Sequence, residues 1–322
     1  MSEQKRKSPK EYKGRPGFEV VSSEKFGIQR KIVANMTVES WDNIPHSSGL
    51  YEPDATELLA EFKKLRQRPE WQGISLNTVM LYVIAQGLTA CPAMNSWIKF
   101  NRRFINGVIE RFEDVNISMP TIMPDGTPIT INVHNCERMG LREMQDYIND
   151  MRRKMANTNM DDAMYEVGFH DTMQKLKSGR VVKALCRLIG AKVGCGPIHK
   201  LKGEARKEYF KIPKNDRITR TDIEQGTIVV SNVGSVYRGG NYLAACLLEI
   251  IPPQVCAICI SCICEKPGVV TRADGTKELA PRQFLPITLA VDHRAMDFGD
   301  CMPFIACLDE IFKNPSVIES WL

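Results

Sequence analysis

The chain has 322 residues, 43% of them hydrophobic and 25% charged, with a formal net charge of +5; this is the composition of a globular protein with a large buried core, in one large domain or two small ones. No apolar run reaches the roughly 18 to 20 residues of a membrane-spanning helix, because the stretch from Thr78 to Ala90 is short and Glu249 and Gln254 interrupt the one near Cys246, which excludes an integral membrane protein. Eleven cysteines, five of them on apolar stretches between Cys246 and Cys264, are too irregularly spaced for a secreted disulfide scaffold and indicate a reducing, cytoplasmic location.

The N-terminus, 1–25, reads as a solvated basic tail, not a secretory signal, since Met1 to Arg15 carry six Lys or Arg against two Glu and no apolar segment. From Phe26 to Trp41, Ile28, Ile32, Val33 and Met36 recur at helical spacing, and Pro45 ends the helix. Asp54 with Glu57 three residues later forms a capping-box-like start for a helix to about Arg66, with Leu58, Leu59 and Phe62 inward. Ser75 or Asn77 opens a third helix through Leu88. The stretch with Phe104, Ile105, Val108 and Ile109 fits strand or helix and is read as strand. Period-two alternation at Val115, Ile117 and Met119, and again at Ile129, Ile131 and Val133, predicts a hairpin around the turn from Met123 to Thr127.

Leu141 to Met155 returns to helical spacing, and a polar, basic insert at about 175–218 follows a little later. Between Lys175 and Arg217 it holds thirteen Lys or Arg against Glu204, Glu208 and Asp216, so an acidic body carries two basic attachments. Such attachments suit phosphate, an anionic surface or another subunit, although a solvated face is the preferred reading. Within the insert, Val181, Val182, Leu185, Leu188, Ile189 and Val193 share one helical face; a packed helix is preferred there over one lying on a membrane surface. Nucleic acid is not an expected partner, because only Tyr209 and Phe210 interleave the basic residues and no binding module accompanies them. The last hundred residues predict strands at Gly226 to Ser231, Val255 to Cys264 and Leu285 to Asp292, then a helix with Met302, Ile305, Leu308 and Phe312 as its stripe. Segregated runs of helix and strand argue for an α+β sandwich of helices on a sheet.

Chemistry concentrates at Asp292-His293-Arg294-Ala295-Met296-Asp297-Phe298-Gly299, where an apolar strand meets the closing helix. Histidine titrates near ~6.5, which suits it to take a proton from a thiol or alcohol at neutral pH. Asp297 can pair with Arg294 or help to fix the turn. Cys256, Cys259, Cys262 and Cys264 imitate a zinc or iron-sulfur run, but strand alternation splits them between faces, so no metal is expected. Met296 and Met302 read as core fillers, and His46, His134 and His170 as structural or exposed.

Further motifs run in order through the chain: Arg30-Lys31-Ile32-Val33-Ala34, Ser40-Trp41, Ile44-Pro45-His46, Asp54-Ala55-Thr56, Phe62-Lys63-Lys64-Leu65-Arg66, Glu113-Asp114-Val115-Asn116-Ile117 and Pro124-Asp125-Gly126. They continue with Gly226-Thr227, Val230-Ser231-Asn232-Val233-Gly234, Pro252-Pro253-Gln254, Asp292-His293-Arg294 with Asp297, and Asn314-Pro315. In these the chain resembles the catalytic domain of the dihydrolipoamide acyltransferases of 2-oxo acid dehydrogenase complexes, over about Phe26 to Gln174 and Thr219 to Leu322.

The resemblance implies a chloramphenicol acetyltransferase-like fold over 26–322. It also implies acyl transfer between a thioester, acyl-coenzyme A or acyl-lipoyl, and a thiol or other acceptor, with coenzyme A as the acyl carrier. By the same resemblance His293 is the general base, Ser231 the hydroxyl donor to the oxyanion, and Asp297 a group that orients the motif and pairs with arginine. It further implies a homotrimer whose sites form between subunits. The chain departs from the family at Phe298, where the family carries glycine, and shows no lipoyl domain in cis, so a lipoyl-bearing protein would act in trans. A non-catalytic trimeric scaffold or regulatory homologue that docks partners through the basic insert is the alternative.

Overall fold

The computed structural model describes residues 21–22, 26–123, 126, 128–159, 162–163, 173, 185, 201–235 and 248–322. In chain order these form helix α1 (Ile28–Asn43), strand β1 (His46–Tyr51), helices α2 (Thr56–Leu65) and α3 (Leu76–Ala90), strands β2 (Ser96–Asn101), β3 (Asn106–Arg111), β4 (Ile117–Ile122) and β5 (Pro128–Val133), and helix α4 (Leu141–Ala156). Short helices α5 (Gly203–Tyr209) and α6 (Arg220–Ile223) follow. The chain continues with strands β6 (Ile228–Asn232), β7 (Cys256–Ile260), β8 (Cys264–Thr271), β9 (Lys277–Phe284) and β10 (Ile287–Asp292), and closes on helix α7 (Met302–Lys313). No helix among the described residues is long and apolar enough to cross a membrane.

Six strands make one mixed sheet in the order β1-β10-β7-β6-β4-β5, and the pairs β2-β3 and β8-β9 stand apart as two-stranded ribbons. β6 runs parallel to β4 and to β7, whereas β10 runs antiparallel to β7 and β1. The C-terminal ends of β6 and β10 therefore lie at opposite ends of the sheet.

Alternation explains what covers it. Ile228, Val230, Ile258, Ile260, Leu289 and Val291 join α3 and α7 in the main core. α3 starts where the Ser75 side chain accepts the Thr78 N–H at 3.2 Å, which satisfies one of the helix's orphan donors. It is buried on nearly every side. Gly87 lets α7 come close, because a Cβ there would lie 2.6 Å from both Leu308 and Phe304. Each such fully buried Leu or Phe contributes about 1.5 to 3 kcal/mol relative to exposure.

Several expectations are corrected by tertiary contacts. The buried stripe of α7 is Phe304, Leu308, Ile311 and Phe312; Met302 is half exposed, so of the two methionines read as core only Met296 is buried. The strand expected from Val255 to Cys264 is two, β7 ending at Ile260 and β8 starting at Cys264, because Ser261 turns the chain by donating its N–H to Pro286 O. β1 and β2 had no expectation at all. Pro124, Asp125 and Thr127 of the predicted hairpin turn, the tail apart from residues 21–22, the apolar face from Val181 to Val193 apart from Leu185, and His170 lie outside the described residues.

Asp54 and Glu57 form no capping box. Both instead hold Arg282 of β9, Asp54 Oδ2 accepting from Nε at 2.6 Å and Glu57 Oε1 from Nη1 at 3.0 Å. Burial alone would raise the Asp54 pKa, but hydrogen bonds from Thr56 and Arg282 outweigh it and hold the carboxyl below its ordinary value. The stabilisation is complete above the unfolded-state value of about 4 and is lost as pH falls through the lower folded-state value. Asp54→Asn is therefore expected to lower the thermal midpoint at neutral pH and to have no such effect in strong acid; an equal loss at both, read by thermal unfolding across pH, would contradict this.

Candidate active site

All six residues of β10 are buried, so the strand delivers Asp292 into the interior with a charge to neutralise. Arg294 does this from two residues on. Its Nε donates to Asp292 Oδ1 at 2.9 Å and its Nη2 to Oδ2 at 2.6 Å, and its backbone N–H reaches Oδ1 at 3.0 Å. The guanidinium also lies 5.3 Å over the Phe100 ring of β2. With residues 292 and 294 turned inward, His293 is turned out, tied by its N–H to Pro45 O at 3.1 Å.

The His293 side chain is 54% exposed, and its Nδ1 lies 3.0 Å from Asp297 Oδ1. A carboxylate can only accept, so Nδ1 carries the hydrogen and, in the neutral ring, Nε2 is the nitrogen left with a lone pair. That is the tautomer a proton acceptor needs. Asp297 itself is held by reciprocal bonds across the 297–300 turn, its N–H to Asp300 Oδ2 at 2.8 Å and the Asp300 N–H to its carbonyl. The expected partnership of Asp297 with arginine is thus replaced: the arginine belongs to Asp292, and Asp297 meets the histidine.

Ser231 sits elsewhere. In the sheet it is level with Cys259 of β7, which is level with Thr288 of β10. Burial pushes the Cys259 thiol up, opposed by hydrogen bonds from the Val233 backbone and the hydroxyls of Ser231 and Ser261. His293 follows Thr288 by five residues, which separates it from Ser231 by roughly 16 Å along the strands and about 10 Å across two strand spacings. One chain brings His293 and Asp297 together and leaves Ser231 at the far end of the sheet. Beside Ser231, on the helix-covered side, Val230 and Asn232 line a cavity of about 70 Å³ with Thr78, Thr121 and Arg152.

Other expected or alternative residues are accounted for. His46 is structural: its Nε2 accepts the Ile250 N–H at 3.1 Å, which places the ring hydrogen on Nδ1 toward Ile44 O at 2.9 Å, and the ring stacks on Trp41. His134 Nε2 reaches Thr221 O at 3.0 Å. Cys256 lies in the main core. Among the described residues no group of three or more His, Cys, Asp or Glu side chains is placed to hold a metal ion.

Two features had not been assigned a role from the sequence. Phe298 seats its ring on Gly49 of β1, where a Cβ would lie 2.6 Å from Cε1 and 2.8 Å from Cζ. Phe298 is visible as a departure from the motif, but nothing local to Gly49 announces its partner. Phe100, likewise, is distant in sequence from the arginine it supports.

A profile of the catalytic domain of 2-oxoacid dehydrogenase acyltransferases matches residues 20–166 and 201–319. The dihydrolipoyllysine-residue acetyltransferase component of the pyruvate dehydrogenase complex of Staphylococcus epidermidis is 22% identical over 300 residues, covering 92% of this chain and 52% of that protein. The chain thus spans about half the length of the curated relatives it matches. Among solved structures, the cubic core of a pyruvate dehydrogenase multienzyme complex superposes with a TM-score of 0.60 at 17% identity, covering 96% of this chain and 98% of the other. A dihydrolipoamide acetyltransferase of Azotobacter vinelandii, investigated for the roles of one serine, one histidine and one asparagine in its mechanism, gives 0.59 at 18% identity with the same coverage. The fold is that of these acyltransferase cores.

Proposed function

The chain belongs to the family of 2-oxoacid dehydrogenase acyltransferase catalytic domains, and from that premise we propose that it transfers an acyl group between the thioester of coenzyme A or a lipoyl group and a thiol, with His293 as general base and Ser231 as donor to the oxyanion. The single observation that carries the assignment is the exposed His293 imidazole whose Nδ1 is held by Asp297 at 3.0 Å. The Azotobacter relative supports it, because its mechanism was studied at a serine, a histidine and an asparagine four places beyond the histidine, and Ser231, His293 and Asp297 follow the same order here.

In this mechanism Nε2 removes the proton of the attacking thiol, and the sulfur adds to the thioester carbonyl carbon. The carbonyl oxygen becomes an oxyanion, stabilised by the Ser231 hydroxyl. Collapse breaks the original carbon–sulfur bond, and the departing thiolate recovers the proton from the imidazolium. Asp297 keeps the ring in its accepting tautomer and stabilises the transient cation.

The separation of His293 and Ser231 within one chain supports a site completed by a neighbouring copy. A homotrimer supplies such an arrangement, and the cubic core of the relative fits, since cubic symmetry contains threefold axes. A lipoyl-bearing protein would then present its group in trans. We read residues 26–322 as the catalytic domain and 1–25 as a tail; the gap between 166 and 201 in the family match supports a basic insert, with somewhat different limits from 175–218.

Purified oligomer is expected to release coenzyme A, measured as coenzyme A itself because transfer between thiols leaves the total thiol unchanged, from one or more members of a panel of acyl-coenzyme A donors when dihydrolipoamide is the acceptor. Absence of release by an intact oligomer across the panel would count against transfer and leave the scaffold reading.

A further inference from the structure

We propose that Phe298 is a positioning residue for the His293–Asp297 pair, its ring seated in the notch left by the missing side chain of Gly49. The proposal rests on the reading of His293 as the base. β1 and β10 pair from His46 opposite Asp292 to Tyr51 opposite Ile287, which puts Gly49 opposite Leu289. After Asp292 the chain leaves β10 and folds back over β1, first through the His293 N–H to Pro45 O and then through the Phe298 ring. A Cβ on Gly49 would come to 2.6 Å from that ring, closer than packed atoms allow, so a side chain there would displace the ring from its seat.

The arrangement has a physical purpose at this place. The pair it adjoins is poorly able to hold its own geometry, because His293 and Asp297 are 54% and 75% exposed, and even fully charged pairs contribute little in water. Met296 on one side of Asp297 is buried in the core and Phe298 on the other is half-buried on β1. Two flanking apolar anchors therefore fix the carboxylate that fixes the imidazole. Reactive groups must be held to within about 0.5 Å for full effect, and packing supplies that where an exposed polar contact does not. Loss of the ring frees one end of the turn without touching the reacting atoms.

The test compares Phe298→Ala, Phe298→Leu, Gly49→Ala and the double variant Gly49→Ala with Phe298→Ala in the full-length oligomer, using acetyl-coenzyme A and dihydrolipoamide. Phe298→Ala is expected to lower kcat about tenfold or more with KM for both substrates within about twofold, the pattern of a displaced base. Phe298→Leu restores most of the loss, and the double variant is more active than Gly49→Ala alone because the clash is relieved. A kcat for Phe298→Ala within about threefold of the parent, or a loss carried by KM alone, overturns the proposal. Should Phe298→Ala fail to fold, Gly49→Ala against Gly49→Ala with Phe298→Leu reads the same contact, and equal kcat values overturn it. His293→Ala run beside them separates the two levels: full activity in that variant removes the base itself, whereas its inactivity beside an undiminished Phe298→Ala removes only the positioning role.

Discussion

Replacing His293 with alanine is expected to lower the rate of acyl transfer at least ~10²-fold, the lower end of what removal of a general base costs. Thiols of ordinary pKa are only a few per cent ionised at neutral pH, so without the imidazole the attacking sulfur reaches the carbonyl still protonated. The effect should fall on chemistry. The ring is exposed and meets the Asp297 side chain at 3.0 Å, while the backbone N–H to Pro45 O survives the substitution. The buried Asp292–Arg294 pair that shapes the turn is likewise untouched. Thermal unfolding and oligomer size are therefore expected to stay near the parent's while kcat falls. An unchanged transfer rate in a folded His293→Ala oligomer would end the base assignment.

Ser231→Ala is expected to reduce kcat by about 10² to 10³, the scale on which one oxyanion donor acts. A second outcome follows from the register. Ser231 and His293 stand at opposite ends of the sheet in one chain, so under the proposed mechanism each complete site would need the hydroxyl of one copy and the imidazole of another. Two inactive variants, His293→Ala and Ser231→Ala, should regain activity when unfolded together and reassembled. In randomly mixed rings of equal parts, about one site in four has both intact groups, so recovery is expected to approach a quarter of the parent rate. No recovery in a mixed oligomer whose composition has been verified would mean that the two groups do not share a site across copies.

Much of the architecture was legible from periodicity. α3, α4 and the β4–β5 hairpin fall close to where apolar spacing puts them, because each buries a face whose period matches its geometry. β10 is nearly continuous in apolar residues, as suits a strand covered on both sides. β1 escaped notice for the opposite reason: His46, Ser47, Ser48 and Gly49 offer no apolar alternation, and the strand exists because β10 presents an unpaired edge. Asp54 and Glu57 had the spacing of a helix cap, yet Arg282 lies 228 residues beyond Asp54 and claims both carboxylates. A cap is a local bond, and a better donor arriving from a distant ribbon displaces it.

The site divides along the same line. The sequence by itself determined which residues are proposed to carry the chemistry, His293, Ser231 and Asp297, because side-chain type and motif order are properties of the chain alone. It also determined the alternation that separates Cys256 from Cys259. Tertiary structure alone decided who meets whom: Asp292 and not Asp297 takes the arginine, Asp297 takes the histidine, and Phe298 finds Gly49. It alone set Ser231 and His293 at opposite ends of one sheet, since that depends on the directions in which β6, β7 and β10 pair. Strand direction is settled by which edges the folding chain leaves open, and short-range preference in an amino-acid sequence carries no record of that.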